Sequence, residues 1–271
     1  MVGSHRSLRL RGRALAAGLA ATAVLLAVTL LFARPGLAQL EPIVPGPQAA
    51  VALELVLAVD TSSSVSPEEF DLQMKGFAGA FREPSVIAAI AATGASGIAV
   101  SMIQWSDNRR QQVAVDWQHL TNEDSVADFA VAIDETPRFL DGGGTAIGGA
   151  IEFALAELSR NSFEGTRKVI DISGDGRANQ GASPDGLRDL AVLQGVTVNG
   201  LAILNEDSSV ADYYRKNVIG GEGAFVITAN DYESFAQAIL EKLIKEIGGV
   251  PIAEGPAPRP GRELARLPAA E

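Results

Sequence analysis

The sequence predicts an α/β domain with a doubly wound, mostly parallel six-stranded sheet, one antiparallel edge strand and helices on both faces. Apolar runs of strand length alternate with segments of helical periodicity between residues 51 and 248. Such alternation is typical of βαβ units and a parallel sheet that is buried on both sides. One run, residues 112–117, alternates polar and apolar side chains and follows the preceding run through a short polar turn. That pattern indicates an antiparallel edge strand.

The elements follow from these patterns in order. The predicted strands span residues 51–59, 98–105, 112–117, 167–173, 196–203 and 223–228. Three predicted helices carry apolar stripes at helical spacing, and we assign these stripes to core packing. The stripes are Phe70, Met74, Phe77 and Phe81, then Ile147, Ala150, Ile151, Ala154, Leu155 and Leu158, then Phe235, Ile239, Leu243 and Ile247.

The start of the chain differs from this domain. Residues 1–38 hold five arginines, no acidic residue and a long uncharged apolar middle, with small residues at Gly36 and Ala38. This pattern predicts a secretory signal peptide that is cut after Ala38. An uncleaved membrane anchor is the alternative, because about 20 apolar residues can span a bilayer. Either way we expect the domain to lie outside the cytoplasm, periplasmic or secreted, or held at the membrane by the retained anchor.

Proline-rich segments flank the domain on both sides. Residues 39–50 hold three prolines and are predicted to be a linker. Residues 249–271 hold five prolines with little periodicity, and we predict that they form a disordered tail. The organisation is therefore a signal segment, a linker, one domain over residues 51–248, and a tail.

Composition excludes several classes of function. The formal net charge is -11, and loss of the five arginines in residues 1–38 would make it -16. Such an acidic surface argues against nucleic acid and anionic membranes as partners. The chain has no cysteine, which excludes disulfides and zinc-thiolate sites, and His119 is the one histidine after residue 38, which excludes a multi-histidine metal site.

Three loops with polar side chains lie at the ends of predicted strands or just before a predicted helix. Residues 60–64 read Asp-Thr-Ser-Ser-Ser and follow the first predicted strand, residues 141–145 read Asp-Gly-Gly-Gly-Thr and precede a helix, and residues 174–176 read Gly-Asp-Gly after the fourth strand. Each loop alone has an ordinary explanation, as a helix cap near Ser66 or as a glycine turn. Together, in this order, they predict one site.

The predicted topology would bring the loops together. Ligands of doubly wound sheets bind outside the carboxyl ends of the strands, at the point where strand order reverses. If the first and fourth strands are neighbours there, Asp60 and Asp175 face one crevice. Oxygen ligands with little charge suit a hard cation such as Mg²⁺. The candidate metal ligands are Asp60, Ser62, Ser64, Thr145 and Asp175.

Residues 51–248 resemble a von Willebrand factor A-type domain with a metal-ion-dependent adhesion site, and are similar to small exported bacterial A-type proteins. The strand at residues 98–106 is similar to the family's second strand. The family's Asp-x-Ser-x-Ser matches residues 60, 62 and 64, and its distal threonine and aspartate match Thr145 and Asp175. The resemblance implies that the serines bind the metal directly and the aspartates partly through water. The family usually has Thr-Asp-Gly in the last loop, whereas this chain has Gly174 before the aspartate.

The predicted function is an exported binding module that captures a partner's carboxylate through a divalent cation, Mg²⁺ or alternatively Mn²⁺ or Ca²⁺. The partner would be a protein with an acidic side chain, and membrane contact is expected only if the N-terminal segment is retained. A Mg²⁺-dependent hydrolase or another enzyme at the same site is the alternative. We predict that the chain is not an enzyme, because it lacks a Gly-x-Ser-x-Gly elbow and shows no general base beside the site.

Overall fold

Six strands form one sheet in the computed structural model, which describes residues 48–205 and 207–249. The strands are β1 (Ala49–Asp60), β2 (Ile98–Trp105), β3 (Gln111–Leu120), β4 (Phe163–Gly174), β5 (Val196–Ile203) and β6 (Val226–Ala229). Their order is β3-β2-β1-β4-β5-β6. Every neighbouring pair is parallel except β2 and β3, which are antiparallel. The predicted fold class is confirmed.

Helices cover both faces of this sheet. Within the described ranges they are α1 (Pro67–Arg82), α2 (Pro84–Ala91), α3 (Glu123–Asp134), α4 (Ile147–Arg160), α5 (Pro184–Leu193), α6 (Val210–Asn217) and α7 (Phe235–Gly248). Successive side chains of a strand point to opposite faces. Leu55 and Leu57 therefore pack with α1, α2, α3 and α7, whereas Val56 and Ala58 pack with α4, α5 and α6. All three predicted helical stripes are buried.

The strand order reverses at β1. This strand pairs with β2 on one side and with β4 on the other, and the register sets Asp60 opposite Trp105 and Val59 opposite Ser173. The carboxyl ends of β1 and β4 therefore lie side by side, as the site prediction required. Doubly wound sheets bind their ligands at such a reversal.

Some predicted boundaries were wrong. β1 begins at Ala49, inside the predicted linker, because Ala49 and Ala50 pair with Phe163 and Glu164 and so also extend β4 backwards. β3 runs three residues past the predicted end at 117, to Leu120. β6 begins at Val226, three residues later than predicted, because Gly223 has a φ of 66° and belongs to the preceding turn.

The signal segment, residues 39–47 of the linker and all of the tail after Gly249 lie outside the described residues. Within the described part of the chain, no helix is both long enough and apolar enough to cross a membrane.

Candidate functional site

The loop after β1 turns tightly around a buried carboxylate. Asp60 ends the strand and is fully buried, and its Oδ1 accepts a hydrogen bond from the Ser62 amide at 2.7 Å. Thr61 anchors the turn, because its amide and its hydroxyl both donate to the Trp105 carbonyl at 2.9 Å. The loop is thus tied to β2 through Thr61. The side chains of Ser62 and Ser64 make their contacts elsewhere, within the candidate site.

The helix after this loop has its own cap. Ser66 Oγ accepts the Glu69 amide at 3.2 Å, and Glu69 Oε2 accepts the Ser66 amide at 2.8 Å, which completes a capping box. Pro67 stands in the first turn, where a missing amide donor costs nothing. The helix cap expected near Ser66 is therefore confirmed, and it is built from Ser66 and Glu69 without the side chains of Asp60, Ser62 or Ser64.

The fourth strand brings the second carboxylate to the same place. Asp175 directly follows β4 and is buried. Ser64 Oγ donates to Asp175 Oδ1 at 2.7 Å, and Ser62 Oγ lies 3.2 Å from Ser64 Oγ. Four of the five predicted residues therefore form one connected group, although they come from loops that lie more than a hundred residues apart.

Ser63 ties the glycine-rich loop to the first loop. The Ser63 amide and hydroxyl donate to the Gly143 carbonyl at 3.0 and 2.8 Å, and the Gly143 amide donates back to Ser63 Oγ at 2.8 Å. Gly142 and Gly143 have φ values of 60° and 111°, a backbone region that favours glycine. Two of the three glycines in residues 142–144 therefore adopt a conformation that a residue with a side chain would rarely take.

Thr145, the fifth predicted residue, lies against the loop that carries Asp175. Its Oγ1 is 3.8 Å from the point that a Cβ on Gly176 would occupy. Its amide donates to Asn179 Oδ1 at 2.9 Å, and its carbonyl accepts from the Asn179 amide at 3.0 Å. Asn179 therefore holds the backbone of Thr145 on both sides, a role that the sequence analysis missed.

The two carboxylates of the site lack a paired counter-charge within the described residues. No ion pair within the described residues includes Asp60 or Asp175. Burial, and after it the charge of Asp175, raise the pKa of Asp60 to about 7, although hydrogen bonds from Ser62 and the charge of Arg138 act in the opposite direction. Asp60 Oδ2 is buried and has no hydrogen-bond partner within the described residues.

These residues fit a divalent cation. A cation would neutralise the two carboxylates and satisfy the free oxygen, and carboxylate and hydroxyl oxygens are the donors that Mg²⁺ and Ca²⁺ take. No group of three or more acidic or histidine side chains in residues 48–205 and 207–249 is placed to hold a metal. The remaining positions around a cation would therefore be filled by hydroxyl oxygens and water.

Arg138 supports the loop after β1 through hydrogen bonds to its backbone, and the sequence analysis missed this role. Its guanidinium donates to three loop carbonyls, those of Thr61 at 2.9 Å, Ser62 at 3.3 Å and Val65 at 2.9 Å. The guanidinium is thus directed at backbone oxygens rather than at either carboxylate. A lone arginine outside any motif gives no signal of this role.

Tyr232 is a second missed residue. Its hydroxyl donates to Asp175 Oδ2 at 3.0 Å, and burial raises the pKa of this tyrosine well above its usual range, so that it stays a neutral donor. Both oxygens of Asp175 are therefore held, one by Ser64 and one by Tyr232. The position of Tyr232 just after β6, at the same edge of the sheet, is the only sequence signal that could have indicated it.

His119 lies far from this site. It pairs with Ala99 at the start of β2, and its Nε2 contacts the Ser96 carbonyl at 2.7 Å. The carboxyl ends of the parallel strands, where Asp60 stands, are at the opposite edge of the sheet. His119 therefore cannot act as a general base for the serines of the first loop.

The fold defines the class of protein. The chain has a von Willebrand factor A-like fold, and it is similar to a von Willebrand factor type A structure from Catenulispora acidiphila (TM-score 0.51, 17% identity, 73% of this chain and 43% of that chain). It is also similar to the vWF domain of the type V pili tip protein Mfa5 from Porphyromonas gingivalis (TM-score 0.51, 12% identity, 73% and 95%). Proximal thread matrix protein 1 from the mussel byssus matches at TM-score 0.55 and 18% identity over 75% of this chain. This chain spans about half the length of the mussel protein.

The particular family follows from the sequence. Residues 50–251 match the family model described as "Protein of unknown function (DUF1194)", and the chain belongs to that family. No curated protein matches the chain.

Proposed function

We propose that this chain is an exported protein-binding module that captures a carboxylate of its partner through a divalent cation. One observation carries the proposal. Two buried carboxylates, Asp60 and Asp175, meet neutral hydroxyls at the carboxyl edge of the sheet, and neither forms an ion pair within the described residues. The proposed metal ligands are Asp60, Ser62, Ser64, Thr145 and Asp175.

The cation is proposed to be Mg²⁺, with Mn²⁺ or Ca²⁺ as alternatives, because all the donors are oxygens. A second structure of the mussel protein is described as having a zinc-occupied MIDAS motif, at 21% identity and TM-score 0.52 over 74% of this chain and 46% of that one. That description supports a divalent cation at the matching loops here. Mg²⁺ keeps several water ligands, and one of these positions is where a partner's carboxylate would bind.

The partner is proposed to be a protein that offers an acidic side chain outside the cytoplasm, in the periplasm or at the cell surface. The net charge of the chain is -11, so an acidic partner is repelled at long range. Salt screens that repulsion over a Debye length of about 8 Å at physiological ionic strength. Attraction must therefore be local, at the cation. Chelator should abolish binding, whereas moderate salt should change it little or strengthen it.

A metal-dependent pull-down from the envelope fraction of the source cell tests this proposal. Wild type should retain a partner in Mg²⁺ and release it in chelator, and Asp60→Asn should retain none. Asp116→Asn removes an exposed carboxylate on β3 and should behave as wild type. Amidating the carboxylates of the eluted partner should prevent it from binding again. Binding that survives chelator but is lost in salt would overturn the proposal, because it would indicate an ordinary charged interface.

A further inference from the structure

Tyr214 on α6 is fully buried and reaches across the sheet toward the candidate metal site. A Cβ on Gly200 of β5 would lie 2.7 Å from the tyrosine ring at Cδ1, and a Cβ on Gly174 of β4 would lie 2.7 Å from its hydroxyl oxygen. Neither glycine has a positive φ. Close approach of the tyrosine, rather than backbone conformation, therefore requires glycine at both positions.

The hydroxyl of Tyr214 faces the free oxygen of Asp60. The same Cβ position on Gly174 that is 2.7 Å from the tyrosine oxygen is 2.8 Å from Asp60 Oδ2. Within the described residues, neither of these buried oxygens has a hydrogen-bond partner. Burial raises the pKa of Tyr214 well above its usual range, and the charge of Asp60 raises it further. The phenol therefore remains protonated and can donate.

A phenylalanine would fill the same space without burying a polar group. A buried hydroxyl without a partner destabilises a protein, so its presence here needs an explanation.

We infer that Tyr214 is a positioning residue of the metal site, whose hydroxyl donates to Asp60 Oδ2 through one buried water and holds that carboxylate for the cation. The inference rests on the proposed function. Groups that orient a metal ligand in this way commonly change metal affinity by roughly 10- to 100-fold when they are removed. A merely structural role would instead change the stability of the metal-free protein.

Calorimetric titration of Mg²⁺ into chelator-treated Tyr214→Phe and wild type tests this inference, together with thermal melts of both proteins without metal. We expect the affinity of Tyr214→Phe for Mg²⁺ to fall about tenfold, while its metal-free melting temperature stays equal to that of wild type or rises. Tyr213→Phe is the matched control, because Tyr213 is on the same helix but its ring lies under Arg177, 5.6 Å from the guanidinium carbon. The control should bind Mg²⁺ as wild type does.

Three results would overturn the inference, and they are distinguishable. Equal Mg²⁺ affinity in Tyr214→Phe and wild type would show that the hydroxyl does not act on the site, and would leave the proposed function intact. A lower metal-free melting temperature with unchanged affinity would show that Tyr214 is purely structural. Wild type that binds no Mg²⁺ would overturn both this inference and the proposed function.

Discussion

The described part of this domain contains two pairs of buried carboxylates that differ in whether a lysine side chain is paired with them. Asp60 and Asp175 meet at the carboxyl edge of the sheet, whereas Asp171 and Glu246 meet between β4 and α7. The second pair encloses Lys242, whose Nζ lies 2.6 Å from Asp171 Oδ1 and also contacts Glu246 Oε1. Among residues 48–205 and 207–249, no lysine or arginine forms an ion pair with Asp60 or Asp175.

The second cluster is a buried network of ion pairs and hydrogen bonds around Lys242. Asn199 Nδ2 donates to Glu246 Oε1 at 2.9 Å, and Lys242, Asp171, Glu246 and Asn199 are all buried. Burial raises the pKa of Asp171, the ammonium of Lys242 lowers it and the charge of Glu246 raises it, with a net result of about 7. Buried charges are stable only when they are paired. The chain supplies its own cation beside α7, and this comparison supports the proposal that the sheet-edge pair takes a cation from solution.

The largest expected effect is a loss of folding stability when Lys242 is removed from the cluster around it. Lys242→Met should destabilise the protein by about 3–5 kcal/mol, because it leaves two buried carboxylates without a counter-charge. Urea unfolding measures this change in the free energy of unfolding. Lys245→Met is the control, since Lys245 is half-exposed and lies 3.9 Å from Glu241, and it should cost no more than about 1 kcal/mol. Equal losses in the two variants would contradict the role given to Lys242.

The next effect is the response of the sheet-edge pair to metal. Mg²⁺ at about 100 times its Kd should stabilise wild type by about 2.7 kcal/mol. Asp175→Ala should abolish the increase in melting temperature, because the site has only two carboxylates. Asp171→Asn should keep the full increase while lowering the starting melting temperature, since Lys242 loses a partner. A metal response that persists in Asp175→Ala would rule out the proposed ligand set.

Removal of the Arg138 guanidinium should have a smaller effect. Arg138→Gln loses the contacts to the carbonyls of Thr61, Ser62 and Val65, so the first loop is held less firmly. We expect Mg²⁺ affinity to fall about tenfold, as for other groups that support metal ligands. Calorimetry measures the affinity, and Arg82→Gln is the control because Arg82 pairs with Asp134 at the surface. Unchanged affinity in Arg138→Gln would show that the loop keeps its shape without this residue.

The smallest expected effect is that of pH on metal binding. The pKa of Asp60 rises from 3.8 to about 7 in the metal-free fold, so folding favours its protonated form. This contribution to stability is fully present below about pH 4 and is lost as the pH rises through about 7. A cation must displace that proton below pH 7, so Mg²⁺ affinity should fall by up to about tenfold per pH unit there. Titrations at pH 8 and pH 6 that give equal affinities would contradict this dependence.

Much of the fold, and the loops that carry the candidate ligands, could be predicted from local patterns. Hydrophobic periodicity indicates which residues form strands, and the doubly wound topology then brings residues 60–64 and Asp175 to one edge. The beginnings of β1 and β4 could not be predicted, because Ala49 and Phe163 are strand residues only through their mutual pairing. Apolar runs alone do not reveal such pairing.

The supporting residues could not be predicted for a related reason. Arg138 contacts Thr61 across 77 positions and Tyr232 contacts Asp175 across 57, and no spacing pattern encodes either contact. Lys242 lies in an amphipathic helix, where a lysine ordinarily points to solvent. Its burial depends on Asp171 from another element. Local sequence therefore predicts the candidate ligands, whereas tertiary packing determines which residues support them.

The most direct measurement of the central claim is calorimetric titration of Mg²⁺ into chelator-treated protein at pH 8. Wild type and Asp116→Asn should each bind one cation per chain at a site that Asp60→Asn lacks. Metal-free Asp60→Asn should be at least as stable as wild type, because it loses a buried charge that no cation balances. The account would be contradicted if wild type bound no cation, or if Asp60→Asn bound Mg²⁺ as tightly as wild type.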